Sequence, residues 1–235
     1  MEKALYIIPT TLGDTPTDHV IPSFNHVVIA QIKFFIVENV RSARRFLKKI
    51  DKNIDIDTLT FYELNEHTDL HTVDRYLVPL ETGDAVGILS DAGCPTIADP
   101  GAAVIALAQR RRFRVIPLVG PSAPLLAIMS SGFNGQNFAF NGYLPAKPAA
   151  RVQRLRQLET RLYKENQTQL FIETPYRNMK LIETMLTVLR VETKLCIAAG
   201  ITCPEEYIRT MEIAEWQQTR IPDFSKIPAL FALYR

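Results

Sequence analysis

The 235-residue sequence has few cysteines, no long apolar run and no low-complexity tract, and each absence closes off a class of protein. Its three cysteines, Cys94, Cys196 and Cys203, are odd in number and lack C-x-x-C spacing. Neither a disulfide framework nor a zinc site is signalled, and all three read as reduced thiols. Apolar stretches such as Phe34 to Val37 and Pro124 to Met129 fall far short of the roughly 20 residues a membrane span needs, so no membrane partner is expected. The amino terminus passes directly into a strand-like run, Leu5-Tyr6-Ile7-Ile8-Pro9, without a leader-type apolar segment and cleavage site, which points to a cytoplasmic protein. With 47% hydrophobic and 22% charged residues the chain reads as ordered and globular throughout.

A formal net charge of +2 is too small to imply a nucleic-acid partner by itself, but the cations are gathered locally. One cluster is Arg41, Arg44, Arg45, Lys48 and Lys49; a second is Arg110, Arg111, Arg112 and Arg114. The third runs from Lys147 through Arg151, Arg154, Arg156 and Arg161 to Lys164, with only Glu159 as an opposing charge. Each would serve equally as a solvated helix face or as a phosphate-facing surface.

Short apolar runs alternate with amphipathic stretches. Leu5 to Ile8, Phe34 to Val37, Ala85 to Leu89 and Val115 to Val119 have the character of buried strands, and Gly101 to Arg112 of a helix with Val104, Leu107 and Ala108 on one face. Repeated strand, loop and helix units predict an α/β fold whose first sheet is mostly parallel. The second half differs, with strands at Phe138 to Phe140, Leu170 to Glu173, Leu195 to Ala198 and Ala229 to Tyr234. Its helices are expected at Arg151 to Lys164, with Val152, Leu155, Leu158 and Leu162 as the apolar stripe, and at Asn178 to Leu189. The boundary falls near Leu118, giving domains 1–118 and 119–235, the second with a mixed sheet.

The loop Ser90-Asp91-Ala92-Gly93-Cys94-Pro95, continuing to Asp99-Pro100-Gly101, follows a buried strand and leads into a helix. Ligands gather at the carboxyl ends of strands in open α/β sheets, and small residues there let a cofactor approach the backbone. The same residues also suit a capped strand-to-helix turn, since Asp99-Pro100 is good helix-start chemistry. Gly120-Pro121-Ser122-Ala123, Asn141-Gly142-Tyr143-Leu144-Pro145-Ala146-Lys147 and Glu173-Thr174-Pro175-Tyr176-Arg177 are further post-strand loops.

In order and spacing, these four motifs resemble those of the small-subunit ribosomal RNA cytidine 2′-O-methyltransferases, within the tetrapyrrole methylase superfamily. The resemblance spans roughly Leu5 to Tyr234. It implies two α/β domains with an S-adenosylmethionine cleft between them, a homodimer, and ribosomal RNA or the small ribosomal subunit as partner. Carried over by position, Pro9, Leu12, Asp91, Gly93, Cys94, Ser122 and Ala123 would contact the cofactor, as would Ile172, Ile201 and Ala229 by chain order. A side chain at Gly93 would then occupy cofactor space. The chain lacks a G-x-G-x-x-G after its first strand, unlike the commoner Rossmann-type methyltransferases.

Two stretches depart from the family pattern. Glu38-Asn39-Val40-Arg41 stands where Glu-Asp-Thr-Arg is usual, and Ala199-Gly200-Ile201-Thr202-Cys203 where Arg-Glu-Leu-Thr-Lys is usual. Methyl transfer from a sulfonium needs alignment, a closed site and help in deprotonating the nucleophile, for which Glu38 and Glu173 are the candidates. Each also suits a helix cap or an ion pair. Arg41, Lys147, Arg151 and Arg154 are the candidate RNA contacts. His67 and His71, four apart with Glu66 and Asp69 adjacent, do not make a metal site by themselves, and none is expected. A tetrapyrrole C-methyltransferase is the competing enzyme. A catalytically weak paralogue that binds RNA or cofactor is kept open by the altered Glu38 to Arg41 stretch.

Overall fold

The structure is a computed structural model and describes residues 1–65, 68 and 70–235. The chain forms two compact units, Met1–Ser122 and Ala123–Arg235. The first contains β1 (Leu5–Ile8), α1 (Thr17–Val20), α2 (Ser23–Ile29), β2 (Phe34–Val37), α3 (Val40–Ile50), β3 (Thr60–Glu63), α4 (Leu70–Tyr76), α5 (Val78–Thr82), β4 (Val86–Leu89), α6 (Ala102–Arg110) and β5 (Val115–Pro117). The second contains α7 (Ala123–Ser131), β6 (Phe138–Tyr143), α8 (Pro148–Glu165), β7 (Thr168–Glu173), α9 (Asn178–Val188), β8 (Lys194–Ala199), β9 (Tyr207–Glu212), α10 (Ile213–Gln218) and β10 (Ala229–Tyr234).

The first sheet is parallel throughout, in the order β3-β2-β4-β1-β5. β1, β2 and β4 are continuous apolar runs because both faces are covered, and successive residues feed opposite cores. Tyr6, Ile8, Phe35, Val37 and Leu89 pack with Val28 and Ile29 of α2 and Ala43, Phe46, Leu47 and Ile50 of α3. Leu5, Ile36, Val86 and Ile88 pack on the other side with Val73 of α4, Leu80 of α5 and Val104 and Ala108 of α6.

The second sheet is mixed, as its sequence predicted. Its order is β6-β7-β10-β8-β9, with β6 parallel to β7 and the remaining pairs antiparallel. Leu155, Leu158 and Leu162 of α8, Leu181, Ile182 and Met185 of α9, and Trp216 of α10 pack with Phe171, Ile197 and Phe231. The Trp216 indole donates to the Leu195 carbonyl at 2.9 Å, which satisfies the one polar atom of that buried ring. Val152, expected on the apolar stripe, is half-buried; the buried stripe is instead Arg151, Leu155, Leu158 and Leu162. Among the described residues no helix is long and apolar enough to cross a membrane.

Gly87, in the middle of β4, shows how tightly the first sheet is covered. A Cβ there would come within 2.7 Å of Ile8 Cδ1 and 3.0 Å of Phe35 Cδ1. Gly87→Ala is therefore expected to destabilise the protein by about 1–3 kcal/mol. Thermal denaturation followed by circular dichroism checks this, and a melting temperature at or above wild type would contradict it.

Candidate active site

The strand order creates a switch point in the first sheet. The chain leaves β2 toward β3 on one side and leaves β4 toward β5 on the other, so a crevice opens beyond the carboxyl ends of these adjacent strands. Val37 is paired with Leu89, which makes Glu38 and Ser90 the first residues past the ends of two neighbouring strands. The site grows from that register.

Three carboxylates lie within electrostatic reach of one another there. Burial raises the Glu38 pKa, and the charges of Asp99 and then Asp91 raise it further. Burial also raises Asp91, against a hydrogen bond from the Ser42 side chain at the start of α3. Asp99 is pushed up to about 6, chiefly by burial, with the neighbouring Ser90 side chain opposing and the charge of Asp91 adding. Like charges held in a half-desolvated space cannot all ionise at their ordinary values, and displaced carboxylate pKa values suit a group that exchanges protons near neutrality. Asp99 does not cap a helix, as Asp99-Pro100 alone suggested. The α6 helix begins at Ala102, and its cap residue Gly101 has a φ of 129° and no side-chain cap bond. Thr96 and Ala98 lie in the left-handed region, at 71° and 66°, so the segment bearing Asp99 is held in a costly conformation.

The loops around this cluster lock onto one another. The Thr10 N–H donates to the Gly93 carbonyl at 2.9 Å, and the Thr10 hydroxyl donates to the Ser90 carbonyl at 3.3 Å. The Ser90 hydroxyl reaches the Gly93 carbonyl at 3.1 Å, and the Cys94 thiol the Pro121 carbonyl at 3.4 Å. A Cβ on Gly120 would lie 2.4 Å from the Pro9 Cβ. Pro9, Leu12, Gly93, Cys94 and Pro121 thus form one packed block, with Asp91 exposed beside it and Ser122 following it. Ala123 opens α7 in the second unit. The reason for glycine at 93 differs from the one first expected. A Cβ there meets Leu12 Cδ2 at 2.8 Å, and its φ is 73°, so the loop itself excludes a side chain.

The remaining predicted residues fall into distinct places. The Glu173 Oε1 atom accepts from the Thr174 N–H at 2.7 Å and the Arg177 Nε at 2.9 Å, with Arg177 Nη2 at 2.6 Å. This side chain anchors the turn after β7, the ion-pair role its sequence also allowed. Ala229 is registered with Glu173 and with Ala199, and Ile172 with Leu230; Ile201 follows β8, so the strand pairing brings these positions to one end of the second sheet. Asn39 caps α3, accepting from the Arg41 N–H at 2.9 Å and the Ser42 N–H at 3.1 Å. Asn and Asp cap helices about equally well, so this departure from the family pattern leaves the local fold intact.

Arg41 and Lys147 are exposed. Arg154 donates to the Asn141 side-chain oxygen at 2.8 Å, tying α8 to β6. Arg151 is 3% exposed, which corrects its placement on a solvated basic face. Arg111 is committed to Asp74 and Glu81, each at 2.8 Å, and Arg114 pairs with Glu2. Glu66, His67 and Asp69 lie outside the described residues, and among the described residues no group of three or more His, Cys, Asp or Glu is placed to hold a metal. Sequence reasoning passed over Asp99, Ser90 and Ser42 as site residues. The signal for Asp99 was its place in a long polar loop off a buried strand.

Comparisons with solved structures identify the fold. Over 99% of this chain and 94% of the other, it superposes on the methyltransferase CobJ with a TM-score of 0.65 at 14% identity. A cobalt precorrin-4 methyltransferase, CbiF, gives 0.62 over 99% and 95% of the two chains at 14% identity. The uroporphyrin-III-C-methyltransferase of Thermus thermophilus gives 0.56 over 98% and 93% at 15% identity. The fold is that of the tetrapyrrole methyltransferases.

Sequence relatives are more specific. The Vibrio cholerae ribosomal RNA small subunit methyltransferase I is 32% identical over 211 residues, 90% of this chain and 69% of its own length. The Mesorhizobium japonicum protein of the same name is 31% identical over 210 residues, 89% and 67% of the two chains. No family model matches the sequence. The chain belongs to the ribosomal RNA small subunit methyltransferase I family and is a methyltransferase.

The pKa of Asp99 sets a pH dependence whose sign is fixed. A carboxyl raised in the folded state keeps its proton where the unfolded chain has released it, so stability falls as pH rises from about 4 to about 6. Asp99→Asn cannot ionise. It is expected to match wild type near pH 4 and to exceed it at pH 8 by about 1 kcal/mol, a figure discounted for solvent screening. Chemical denaturation at both pH values measures the gap, and a gap independent of pH would contradict the assignment.

Proposed function

We propose that this chain uses S-adenosylmethionine to methylate a ribose 2′-hydroxyl of small-subunit ribosomal RNA. The observation that carries the reading is the carboxylate cluster Glu38, Asp91 and Asp99 at the switch point of the first sheet. Its chemistry fits the cofactor. The small residues Ala92, which is exposed, and Ser122, which is half-buried, leave the sheet edge open to a ligand, and exposed Asp91 accepts hydrogen bonds from amine or hydroxyl donors. Three acidic groups favour a sulfonium cation nearby. When bound, S-adenosylmethionine would supply an activated methyl group that passes to a nucleophilic oxygen as its bond to sulfur breaks, with the neutral thioether S-adenosylhomocysteine as the leaving group.

The chain's own residues position the hydroxyl and take up its proton. As the oxygen–methyl bond forms, the proton leaves for a carboxylate, and Glu38 and Asp99 are the groups whose raised pKa values suit them to it. Glu173, held by Arg177, anchors its turn instead. Relatives above 30% identity carry the ribosomal RNA name, whereas the tetrapyrrole enzymes share the fold at 14–15%, which favours the RNA substrate over a tetrapyrrole. A homodimer belongs to the same reading, supported by the apolar side chains Leu125 and Met129 exposed four residues apart on α7.

Transfer of labelled methyl from S-adenosylmethionine to isolated small subunits tests the activity, and absence of label in ribosomal RNA would overturn it. Glu38→Gln and Asp99→Asn are each expected to lower kcat by about 10²–10⁴-fold while cofactor affinity, read by calorimetry, changes little. Full activity in both variants would remove the carboxylates from the mechanism.

A further inference from the structure

Arg151 is an anomaly in the second unit. It is 3% exposed, its Nε is sealed from solvent without a hydrogen-bond partner, and it takes part in none of the ion pairs among the described residues. A buried cation without a counter-charge costs several kcal/mol, and the ordinary remedy is a carboxylate. From Tyr143 to Leu158 the sequence contains no acidic residue, and Glu173 gives its Oε1 to Arg177 while its Oε2 is buried without a hydrogen-bond partner and forms no ion pair with Arg151. Glu159 is taken up by the Arg190 N–H at 2.8 Å and the Thr193 hydroxyl at 2.7 Å.

Arg151 also stands in the first turn of α8, an 18-residue helix whose start is bare. Lys147 at its cap makes no side-chain cap bond, Pro148 opens it, and its first turn holds no acidic residue. The first backbone amide to close a helical bond is that of Arg151, to the Lys147 carbonyl at 2.9 Å, which leaves the Ala149 and Ala150 N–H groups without helical acceptors. Helical side chains project back toward the amino terminus, so the guanidinium is directed to the same end as these amides and the positive end of the helix dipole. Lys147 adds an exposed ammonium, and Arg154, one turn on, is bound among the described residues to the neutral amide of Asn141.

We infer that the first turn of α8, with Arg151 and Lys147, binds a phosphate group of the RNA substrate. Free amides at a helix start and a planar guanidinium fork both suit a tetrahedral oxyanion, and the bound phosphate supplies the negative charge that Arg151 lacks. The phosphate site rests on the α8 geometry alone, and its assignment to RNA rests on the function proposed above.

The test compares wild type with Arg151→Met, which keeps the side chain's length and removes its charge. Without phosphate, the variant is expected to melt at or above wild type, because an uncompensated buried cation is gone. With inorganic phosphate, wild type is expected to gain melting temperature, and the variant to bind phosphate at least about tenfold more weakly. With small-subunit ribosomal RNA, the variant's log affinity against log salt should be flatter by about 0.7–0.9. Equal phosphate responses in the two proteins would overturn the site. So would a variant that melts well below wild type without phosphate and is rescued by Arg151→Lys with unchanged phosphate affinity, since Arg151 would then be a packing residue. Should Arg151→Met not fold, Lys147→Ala and Arg151→Lys decide, each expected to weaken phosphate binding severalfold and equal binding in both overturning the site. A lost phosphate response with an unchanged RNA salt slope would overturn the assignment to RNA. Wild type that binds phosphate but not ribosomal RNA would sink the proposed function and leave the phosphate site standing.

Discussion

The parallel pairing of β2 with β4, Val37 opposite Leu89, is the constraint on which the first unit's chemistry depends. It places the residues that follow two buried strands side by side at the point where the chain turns in opposite directions. Glu38, Asp91 and Asp99 are brought into one half-desolvated space by that register, and their mutual repulsion follows from it. The apolar runs that make both strands possible are buried on both faces, so the cost of crowding three carboxylates is met by the hydrophobic stabilisation of the sheet beneath them. The neighbouring Ser42 and Ser90 side chains lower the pKa of Asp91 and Asp99 respectively, which moderates the penalty without removing it.

The chain's positive charge is distributed by a different rule. Much of what the sequence presents as basic clusters is spent on local structure: Lys49 on Asp14, Arg111 on Asp74 and Glu81, Lys48 on the carbonyls of Lys52 and Ile54. Such exposed pairs contribute little stability each, but they take those cations out of reckoning as a uniform nucleic-acid surface. What stays uncommitted at the start of α8 is therefore more informative than the raw count of arginines.

How far the sequence could be read depended on burial. Leu5–Ile8, Phe34–Val37 and Val86–Leu89 were legible as strands because parallel strands covered on both sides are unbroken apolar runs. β3, Thr60–Glu63, is exposed or half-buried at every position, and β9, Tyr207–Glu212, mixes polar and apolar residues without a run, so neither announced itself. The loop motifs were visible as motifs, yet Asp99 was hidden behind Asp-Pro chemistry that normally marks a helix start. Its helix begins three residues later, and only the folded loop turns the carboxyl toward Ser90. Arg151 was readable in principle. Positions 151, 155, 158 and 162 form one stripe at helical spacing, but an arginine on an apolar stripe is rarely assigned to the interior.

Carbon-detected nuclear magnetic resonance titration of the aspartate and glutamate carboxyls reports the crowding at the switch point directly, with Asp99→Asn used to assign the resonance. Asp99 should titrate near 6, with Glu38 and Asp91 also above their ordinary values. Titration of all three carboxyls in the range of an exposed aspartate or glutamate, about 3.9–4.3, would contradict the electrostatic basis of the site.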